Sequence, residues 1–212
     1  MESIEHYLVS PDLKKFNKFE PKLNIAVLAS GEGTNFQVLI DLCKNKKLDI
    51  DIKLLISNKE NAGCMKRAIK SNIPNFLILE NNYENKEKFE AEIIKILKES
   101  NVELIVMAGW MKIASENFVN AFKDRIINIH PSLLPSFKGK SPIKDALENG
   151  AFITGCSVHY VVPEVDSGEL IIQGALAINN GESLENLTKN IHHLEHIILP
   201  LAISQAGHMM RK

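Results

Sequence analysis

The sequence predicts an α/β fold: a Rossmann-like, mostly parallel sheet with helices on both faces and antiparallel strands near the C-terminal end. Short apolar runs alternate with helix-length segments along most of the chain, which is the pattern of βαβ units. After residue 150, two strand-like runs at residues 154–162 and 170–178 follow each other with no helix between them. Parallel neighbours need a crossover connection, so this pair indicates antiparallel strands.

The individual elements follow from local patterns. Strands of the parallel part are predicted where β-branched and other apolar residues run together, at residues 24–30, 51–57, 75–79, 104–108 and 126–129. Helices are predicted at residues 36–46 and 64–71, and around a third apolar face formed by Phe89, Ile93, Ile96 and Leu97. Residues 131–142 form a proline-rich loop, and a closing helix runs from Leu184 to about Gln205.

Composition limits the classes of function. The 212 residues carry 25 Lys and Arg against 26 Asp and Glu, and this net charge of −1 favours neither nucleic acid nor a membrane as partner. The longest apolar run, residues 104–111, is far shorter than the ~18 residues that span a bilayer. The first twenty residues include acidic side chains and no apolar stretch, unlike a signal peptide. We therefore expect a cytoplasmic protein with three reduced cysteines, Cys43, Cys64 and Cys156.

One domain is expected over residues 23–207, with an N-terminal extension at residues 1–22 and a tail at residues 208–212. The extension has little apolar content, so we expect it to lie on the surface or to be mobile. Either a monomer or a homodimer is expected.

A glycine loop, Ser-Gly-Glu-Gly-Thr-Asn at residues 30–35, joins the first predicted strand to a helix start. Backbone N–H groups at a helix N-terminus bind anions, and glycine lets a phosphate approach closely. No Lys-Ser/Thr follows the second glycine, so this is not a Walker A loop. Phe36 stands where a dinucleotide-binding loop has its third glycine. The alternative is a tight turn in which Thr34 or Asn35 caps the helix.

Asn128, His130 and Asp166 form a second candidate site. Asn128 and His130 alternate at the end of a predicted parallel strand, so both side chains point the same way, at the sheet edge where ligands bind. Asp166 lies in a turn-like stretch, residues 163–168, after an alternating strand that is expected to run back to the same edge. An amide donor, an imidazole and a carboxylate together can stabilise a tetrahedral intermediate and move protons in acyl transfer.

Simpler interpretations of these residues stay open. Asp166 before Ser-Gly is typical of a turn, and one histidine among seven is often structural. A Ser-His-Asp hydrolase is not indicated, because no GxSxG motif occurs. His192 and His196 have the i, i+4 spacing of metal ligands, but Glu195 is not in the HExxH position and no third ligand is evident, so we expect no metal.

Five segments resemble a known family. NIAVLASGEGTN (24–35), LIVMAGWMKI (104–113), INIHPSLLPSFKG (127–139), TGCSVHYVVPEVDSG (154–168) and LEHIILP (194–200) resemble the phosphoribosylglycinamide formyltransferases in order along the chain. The resemblance implies transfer of a formyl group from 10-formyltetrahydrofolate to the amino group of glycinamide ribonucleotide. It also implies that neither a metal nor a covalent enzyme intermediate takes part.

The resemblance implies roles for individual residues. The positions that match the family's catalytic residues are Asn128, His130 and Asp166. The positions that match its ribonucleotide-binding residues are Gly33, Thr34, Asn35 and Glu195. The positions that match its folate-binding residues are Lys86, Met111, Lys112, Ile113, Ala114, Asn128, Val162, Pro163, Glu164 and Val165. Lys86 stands where the family usually has Arg, so a charge is kept and the bidentate fork is lost.

Two related enzymes and one other class are the alternatives. Formyltetrahydrofolate hydrolases tend to carry Ala-Arg-Tyr-Met where this chain has Ala108-Gly109-Trp110-Met111, and they have an N-terminal regulatory domain. Methionyl-tRNA formyltransferases have a C-terminal RNA-binding domain. One feature of this chain points toward them: Gly-Lys-Ser-Pro-Ile at residues 139–143 resembles the Gly-x-x-Pro-Ile loop of those enzymes. A non-catalytic folate- or nucleotide-binding module would need the loop and sheet but not the Asn-His-Asp set.

Overall fold

The computed structural model describes residues 7–13 and 15–212 and confirms the predicted fold class. The strands are Leu8–Ser10 (β1), Leu23–Leu28 (β2), Ile50–Ser57 (β3), Asn75–Leu77 (β4), Leu104–Met107 (β5), Ile126–His130 (β6), Ile153–Tyr160 (β7) and Leu170–Ala177 (β8). The α-helices are Thr34–Lys44 (α1), Gly63–Lys70 (α2), Lys86–Glu99 (α3), Glu116–Ala121 (α4), Pro142–Glu148 (α5) and Leu184–Met210 (α6), and a 3₁₀ turn spans Glu80–Asn82.

The eight strands form one sheet in the order β1-β8-β7-β6-β5-β2-β3-β4. Pairing is parallel from β6 through β5, β2 and β3 to β4. It is antiparallel between β6 and β7, β7 and β8, and β1 and β8. The antiparallel end therefore forms where two successive strands lack a crossover helix, as the sequence predicts.

Two apolar clusters cover the two faces of the sheet. Alternate residues of β2 divide between them: Ile25 and Val27 pack in the first cluster, whereas Ala26 and Leu28 pack in the second. The first cluster includes α1 and most of α6, and the second includes α3 and α4. Burial on both faces explains why these strands are apolar at successive positions.

The N-terminal extension does more than lie on the surface. β1 pairs with β8 and adds a strand to the sheet, and Phe19 is buried in the first cluster. The Asn17 N–H donates to Ser204 Oγ at 2.6 Å, which ties this segment to α6. Residues 1–6 and 14 of the predicted extension lie outside the described residues. The domain boundaries at residues 22/23 and 207/208 stay predictions, although α6 continues to Met210.

Two short helices were not predicted from the sequence. α4 has six residues and α5 has seven, so neither shows a clear helical period. Ser115 begins α4 by accepting the Phe118 N–H, and Pro142 occupies the first turn of α5. In the described part of the chain, no helix is long and apolar enough to cross a membrane. The three cysteines are free thiols, as predicted.

Candidate active site

The loops that follow β2, β5 and β6 meet at one edge of the sheet. The glycine loop (residues 30–35) contacts the β5–α4 loop (residues 108–115) through Ser30, whose N–H donates to Gly109 O at 3.0 Å. Ser30 Oγ accepts the Met111 N–H at 3.0 Å. Ligands of parallel α/β sheets bind at this edge, so these loops define the candidate site.

Asn128 and His130 face the same side of the sheet, as predicted. Their neighbours Ile127 and Ile129 pack in the first cluster, and Ile126 packs in the second. Strand alternation therefore turns Asn128 and His130 toward the face that α3 and α4 cover. His130 is buried and Asn128 is half-buried.

His130 lies between a carboxylate and a backbone carbonyl. Its Nδ1 is 3.5 Å from Asp166 Oδ2, and its Nε2 is 2.9 Å from Phe137 O. Neither oxygen carries a proton when Asp166 is ionised, so a ring with an N–H on both nitrogens fits both contacts. His130 is therefore paired with Asp166 through Nδ1 and with the Phe137 carbonyl through Nε2.

Asp166 also accepts the Gly139 N–H at 3.0 Å. The expectation that the strand before Asp166 runs back to this end of the sheet is wrong. β7 runs antiparallel to β6 and ends at Tyr160 opposite Ile127, and residues 161–166 bring Asp166 back to His130.

His159 is a member of this site that sequence reasoning missed. It lies opposite Asn128 in the β6–β7 register, and its Nε2 is 3.3 Å from Asn128 Nδ2. Its Nδ1 is 2.8 Å from Tyr160 O, which requires a proton on Nδ1. Its Nε2 also lies 3.7 Å from Asp166 Oδ1, beyond hydrogen-bond distance. Burial lowers the pKa of His159, which favours the neutral form in which Nε2 accepts from Asn128. The sequence signal for His159 was strand alternation: it lies two residues after Ser157 and therefore on the same face of β7.

Within the glycine loop, Gly33 has φ 72° and ψ 37° and immediately precedes α1. The alternative in which Thr34 or Asn35 caps the helix is wrong: both are inside α1, and the cap residue is Gly33. A Cβ at Gly33 would lie 2.6 Å from Cys64 Cβ, so glycine is required for packing as well as for the left-handed backbone. The first-turn N–H groups thus stay without a side-chain cap, as an anion site needs.

Asn35 and Glu195, 160 residues apart, form a buried pair. Asn35 Nδ2 donates to Glu195 Oε2 at 2.9 Å, and Asn35 Oδ1 has no partner among the described residues. Burial raises the pKa of Glu195 to about 7, and the hydrogen bond from Asn35 opposes that shift. The structure therefore brings the predicted Glu195 to the predicted glycine loop.

This raised pKa predicts a pH-dependent stability. The unfolded carboxyl ionises near 4.5, whereas folded Glu195 keeps its proton to about 7, so the folded state binds more protons between these values. The free energy of unfolding should fall as pH rises through this window, by about 3 kcal/mol relative to Glu195→Gln. Urea unfolding of both proteins at pH 5 and pH 8 measures the difference. An equal pH dependence in both would contradict the assignment.

The two segments predicted to bind the folate, residues 111–114 and 162–165, both expose apolar side chains. Their large apolar side chains are exposed, namely those of Met111, Ile113, Val162 and Val165. Flanking residues Trp110, Ala114 and Val161 pack against the second cluster. Pro163 and Glu164 are exposed between the two valines. Exposed apolar side chains grouped beside polar loops are typical of a ligand site.

The predicted lysines already contact carboxylates. Lys112 is paired with Glu80, and Lys86 Nζ lies 3.9 Å from Glu90 Oε1. Lys86 is the first residue of α3, close in sequence to its cap Asn85. Both ammonium groups remain partly exposed, so they can also meet an anionic ligand.

The α6 histidines do not form a metal site with the acids around them. Over residues 7–13 and 15–212, no group of three or more His, Cys, Asp or Glu side chains is arranged to hold a metal ion. Burial lowers the pKa of both His192 and His196, and His196 Nε2 has no partner among the described residues.

Comparison with known proteins places this site in a family context. The family described as formyl transferase matches residues 23–203. Phosphoribosylglycinamide formyltransferase of Bacillus subtilis is 39% identical over 180 residues, 85% of this chain and 92% of that protein. The Escherichia coli enzyme of the same name is 37% identical over 182 residues, 86% of each chain.

A longer relative and a solved structure are also similar to this chain. The trifunctional purine biosynthetic protein adenosine-3 of Chironomus tentans is 42% identical over 185 residues, 86% of this chain. Those residues are 14% of that protein, so this chain spans a small part of the trifunctional relatives. Glycinamide ribonucleotide transformylase 1 of Geobacillus kaustophilus superposes with a TM-score of 0.84 at 38% identity, covering 86% of this chain and 97% of that one.

Proposed function

The chain belongs to the formyl transferase family, and we propose that it transfers the formyl group of 10-formyltetrahydrofolate to the amino group of glycinamide ribonucleotide. The products are formylglycinamide ribonucleotide and tetrahydrofolate. The observation that carries the proposal is the grouping of Asn128, His130 and Asp166 around His159 and the end of β6, in the same sheet whose β2 leads into the uncapped N-terminus of α1. The names of the bacterial relatives support the choice of acceptor.

The three polar side chains have separate tasks in this reaction. When the acceptor amine attacks the formyl carbon, the carbonyl oxygen becomes an oxyanion, which the Asn128 amide N–H stabilises. His159 holds one Asn128 N–H, so the second remains for the oxyanion. The carbon–nitrogen bond to the donor then breaks. One proton leaves the acceptor nitrogen and one reaches the donor nitrogen, and the His130–Asp166 pair moves protons between them.

The hydrogen bond to the Phe137 carbonyl restricts proton donation by His130 to the substrate. It accepts the Nε2 proton at 2.9 Å, while Nδ1 faces Asp166. Donation from His130 to the oxyanion therefore requires Nε2–H to be shared with the substrate or released from Phe137. The second N–H of Asn128 does not first have to leave another acceptor.

The two substrates have separate places in the proposed site. The α1 N-terminus, with Gly33, Thr34 and Asn35, is proposed for the phosphate of the ribonucleotide, and Glu195 for its glycinamide end. The folate is proposed to cover the exposed apolar side chains of the β5–α4 loop and the β7–β8 loop (residues 161–169). A flat heterocycle would bury these side chains, and Lys86 and Lys112 would meet its carboxylates.

A carboxylate at Thr34 should separate the two substrate sites. Thr34→Asp places a negative charge at the first residue of α1, where the phosphate is proposed to bind, and so should raise the KM for glycinamide ribonucleotide about tenfold. Thr34→Asn has nearly the same size without the charge and is the matched control. Steady-state kinetics should show the KM for the folate unchanged in both. An unchanged ribonucleotide KM in Thr34→Asp would place the phosphate elsewhere.

The proposed setting is the cytoplasm, with two small-molecule substrates and neither nucleic acid nor membrane as partner. The net charge of −1 and the three free thiols support this setting. Both a monomer and a homodimer remain compatible with the proposal. The catalytic domain is proposed to span residues 23–207, which contain every proposed site residue.

The nucleophile distinguishes a transferase from a formyltetrahydrofolate hydrolase. Both reactions use a polarised formyl group and a His–Asp pair, but an amine acceptor also needs the α1 N-terminus and Glu195. We expect the protein to release little formate from 10-formyltetrahydrofolate alone. With glycinamide ribonucleotide present, tetrahydrofolate and formylated ribonucleotide should form in equal amounts. Rapid formate release that the ribonucleotide does not alter would indicate the hydrolase, and folate binding without either reaction would indicate a binding module.

A further inference from the structure

Glu90 is a buried carboxylate on α3 that the proposed mechanism does not use. Only 6% of the surface of Glu90 is exposed to solvent. Oε1 accepts the Ser115 N–H at 2.9 Å, Oε2 accepts the Ser115 hydroxyl, and Lys86 Nζ is 3.9 Å from Oε1. A buried carboxylate is tolerated where donors of this kind surround it. Glu90 thus joins α3 to Ser115.

Ser115 fixes the carboxyl end of the β5–α4 loop. Its Oγ accepts the Phe118 N–H at 3.1 Å and begins α4, while its backbone N–H and hydroxyl bind Glu90. Ser30 and Glu80 hold other points of the same loop, through the Met111 N–H and the Lys112 ammonium. The residues between these contacts include the exposed Met111 and Ile113.

From this arrangement we infer that Glu90 is a positioning residue for the folate. Its two oxygens hold the end of the β5–α4 loop, and Oε1 also attracts the Lys86 ammonium, so one carboxylate fixes the loop and the α3 cation relative to each other. The inference rests on the proposed function, because both elements are proposed to contact the folate. Glu90 itself touches neither the formyl group nor the acceptor.

A purely structural role would have a different signature from a positioning role. If Glu90 only completes the α3–α4 packing, its loss lowers stability and disturbs both substrates alike. If it positions the folate-binding elements, its loss raises the KM for the folate and leaves the KM for the ribonucleotide unchanged. The reason is that Glu90 holds the Ser115 end of the β5–α4 loop, whereas the glycine loop contacts the opposite end of it through Ser30.

Glu90→Gln tests the inference while preserving side-chain size. Gln keeps one acceptor for Ser115 and loses the charge that attracts Lys86, and Glu90→Ala removes both. We expect the KM for 10-formyltetrahydrofolate to rise about tenfold in Glu90→Gln and further in Glu90→Ala. The KM for glycinamide ribonucleotide and kcat should stay within about twofold. Glu87→Gln makes the same charge change at an exposed position of the same helix and should leave all three values unchanged.

Tetrahydrofolate binding gives a readout that does not depend on turnover. Trp110 is the one tryptophan of the sequence, and it borders a small cavity of about 10 Å³ together with Glu90, so its fluorescence should report binding at this loop. We expect the Kd for tetrahydrofolate to rise about tenfold in Glu90→Gln. Circular dichroism and urea unfolding identify the variants that fold.

The outcomes separate this inference from the proposed function. If wild-type protein binds tetrahydrofolate and folded Glu90→Gln binds it equally well, the inference about Glu90 is wrong and the proposed function stands. Equal rises of both KM values would assign Glu90 a structural role. If wild-type protein forms no formylated ribonucleotide but the Kd for tetrahydrofolate rises in Glu90→Gln alone, the proposed reaction fails and the positioning role stands. If wild-type protein does not bind tetrahydrofolate, both are overturned.

Discussion

Replacing Asp166 with asparagine should lower kcat on the order of a thousandfold while the KM values change little. The carboxylate lies 3.5 Å from His130 Nδ1 and accepts the Gly139 N–H at 3.0 Å. Asparagine has the same shape and can still accept the Gly139 N–H, but it removes the negative charge that faces His130 Nδ1. Proton transfer between the acceptor and donor nitrogens would then lack the Asp166 carboxylate, both as a negative charge beside His130 and as a base.

The backbone at Asp166 makes asparagine the right replacement. Asp166 has φ 49°, a left-handed conformation that Asn tolerates and most other residues do not. Asp124 has φ 59° and is exposed, so Asp124→Asn makes the same chemical change in the same backbone conformation. Single-turnover kinetics should show native rates for Asp124→Asn. A kcat for Asp166→Asn within tenfold of wild type would remove Asp166 from the mechanism.

The parallel core was predictable because its information is local. The central strands β2 and β5 each carry their own run of apolar residues, and burial on both faces forces that pattern. The edge strand β4 is short and mostly exposed. β1 has no such pattern: it is three residues long and is held by backbone pairing with β8, so its position depends on a partner more than 160 residues away. α4 and α5 are too short for a period and depend on their caps.

The same distinction explains the candidate site. The shared direction of Asn128 and His130 follows from strand alternation within three residues, and it is confirmed. The position of His159 opposite Asn128 depends on the register between β6 and β7, which local sequence does not specify. The cap at Gly33 likewise depends on Cys64 of α2, which leaves no room for a Cβ there. The roles of the three catalytic candidates stay predictions that kinetics must test.

Replacing Asn128 with alanine should lower kcat on the order of a hundredfold, with smaller changes in the KM values. The amide N–H that His159 does not occupy stabilises the oxyanion, which exists in the transition state and not in bound substrate. Alanine also leaves His159 Nε2 without its donor, which should cost about 1–3 kcal/mol of stability. Urea unfolding therefore has to accompany the kinetics.

The loss of kcat and the loss of stability have different causes, so a second variant separates them. Asn120→Ala makes the same truncation at an exposed position on α4 and should change neither quantity measurably. In Asn128→Ala the rate should stay low at temperatures well below unfolding, because the missing donor is a property of the folded site. A folded Asn128→Ala protein with near-native kcat would show that another group holds the oxyanion. His130 would then be the first candidate, provided that its Nε2–H is released from the Phe137 carbonyl.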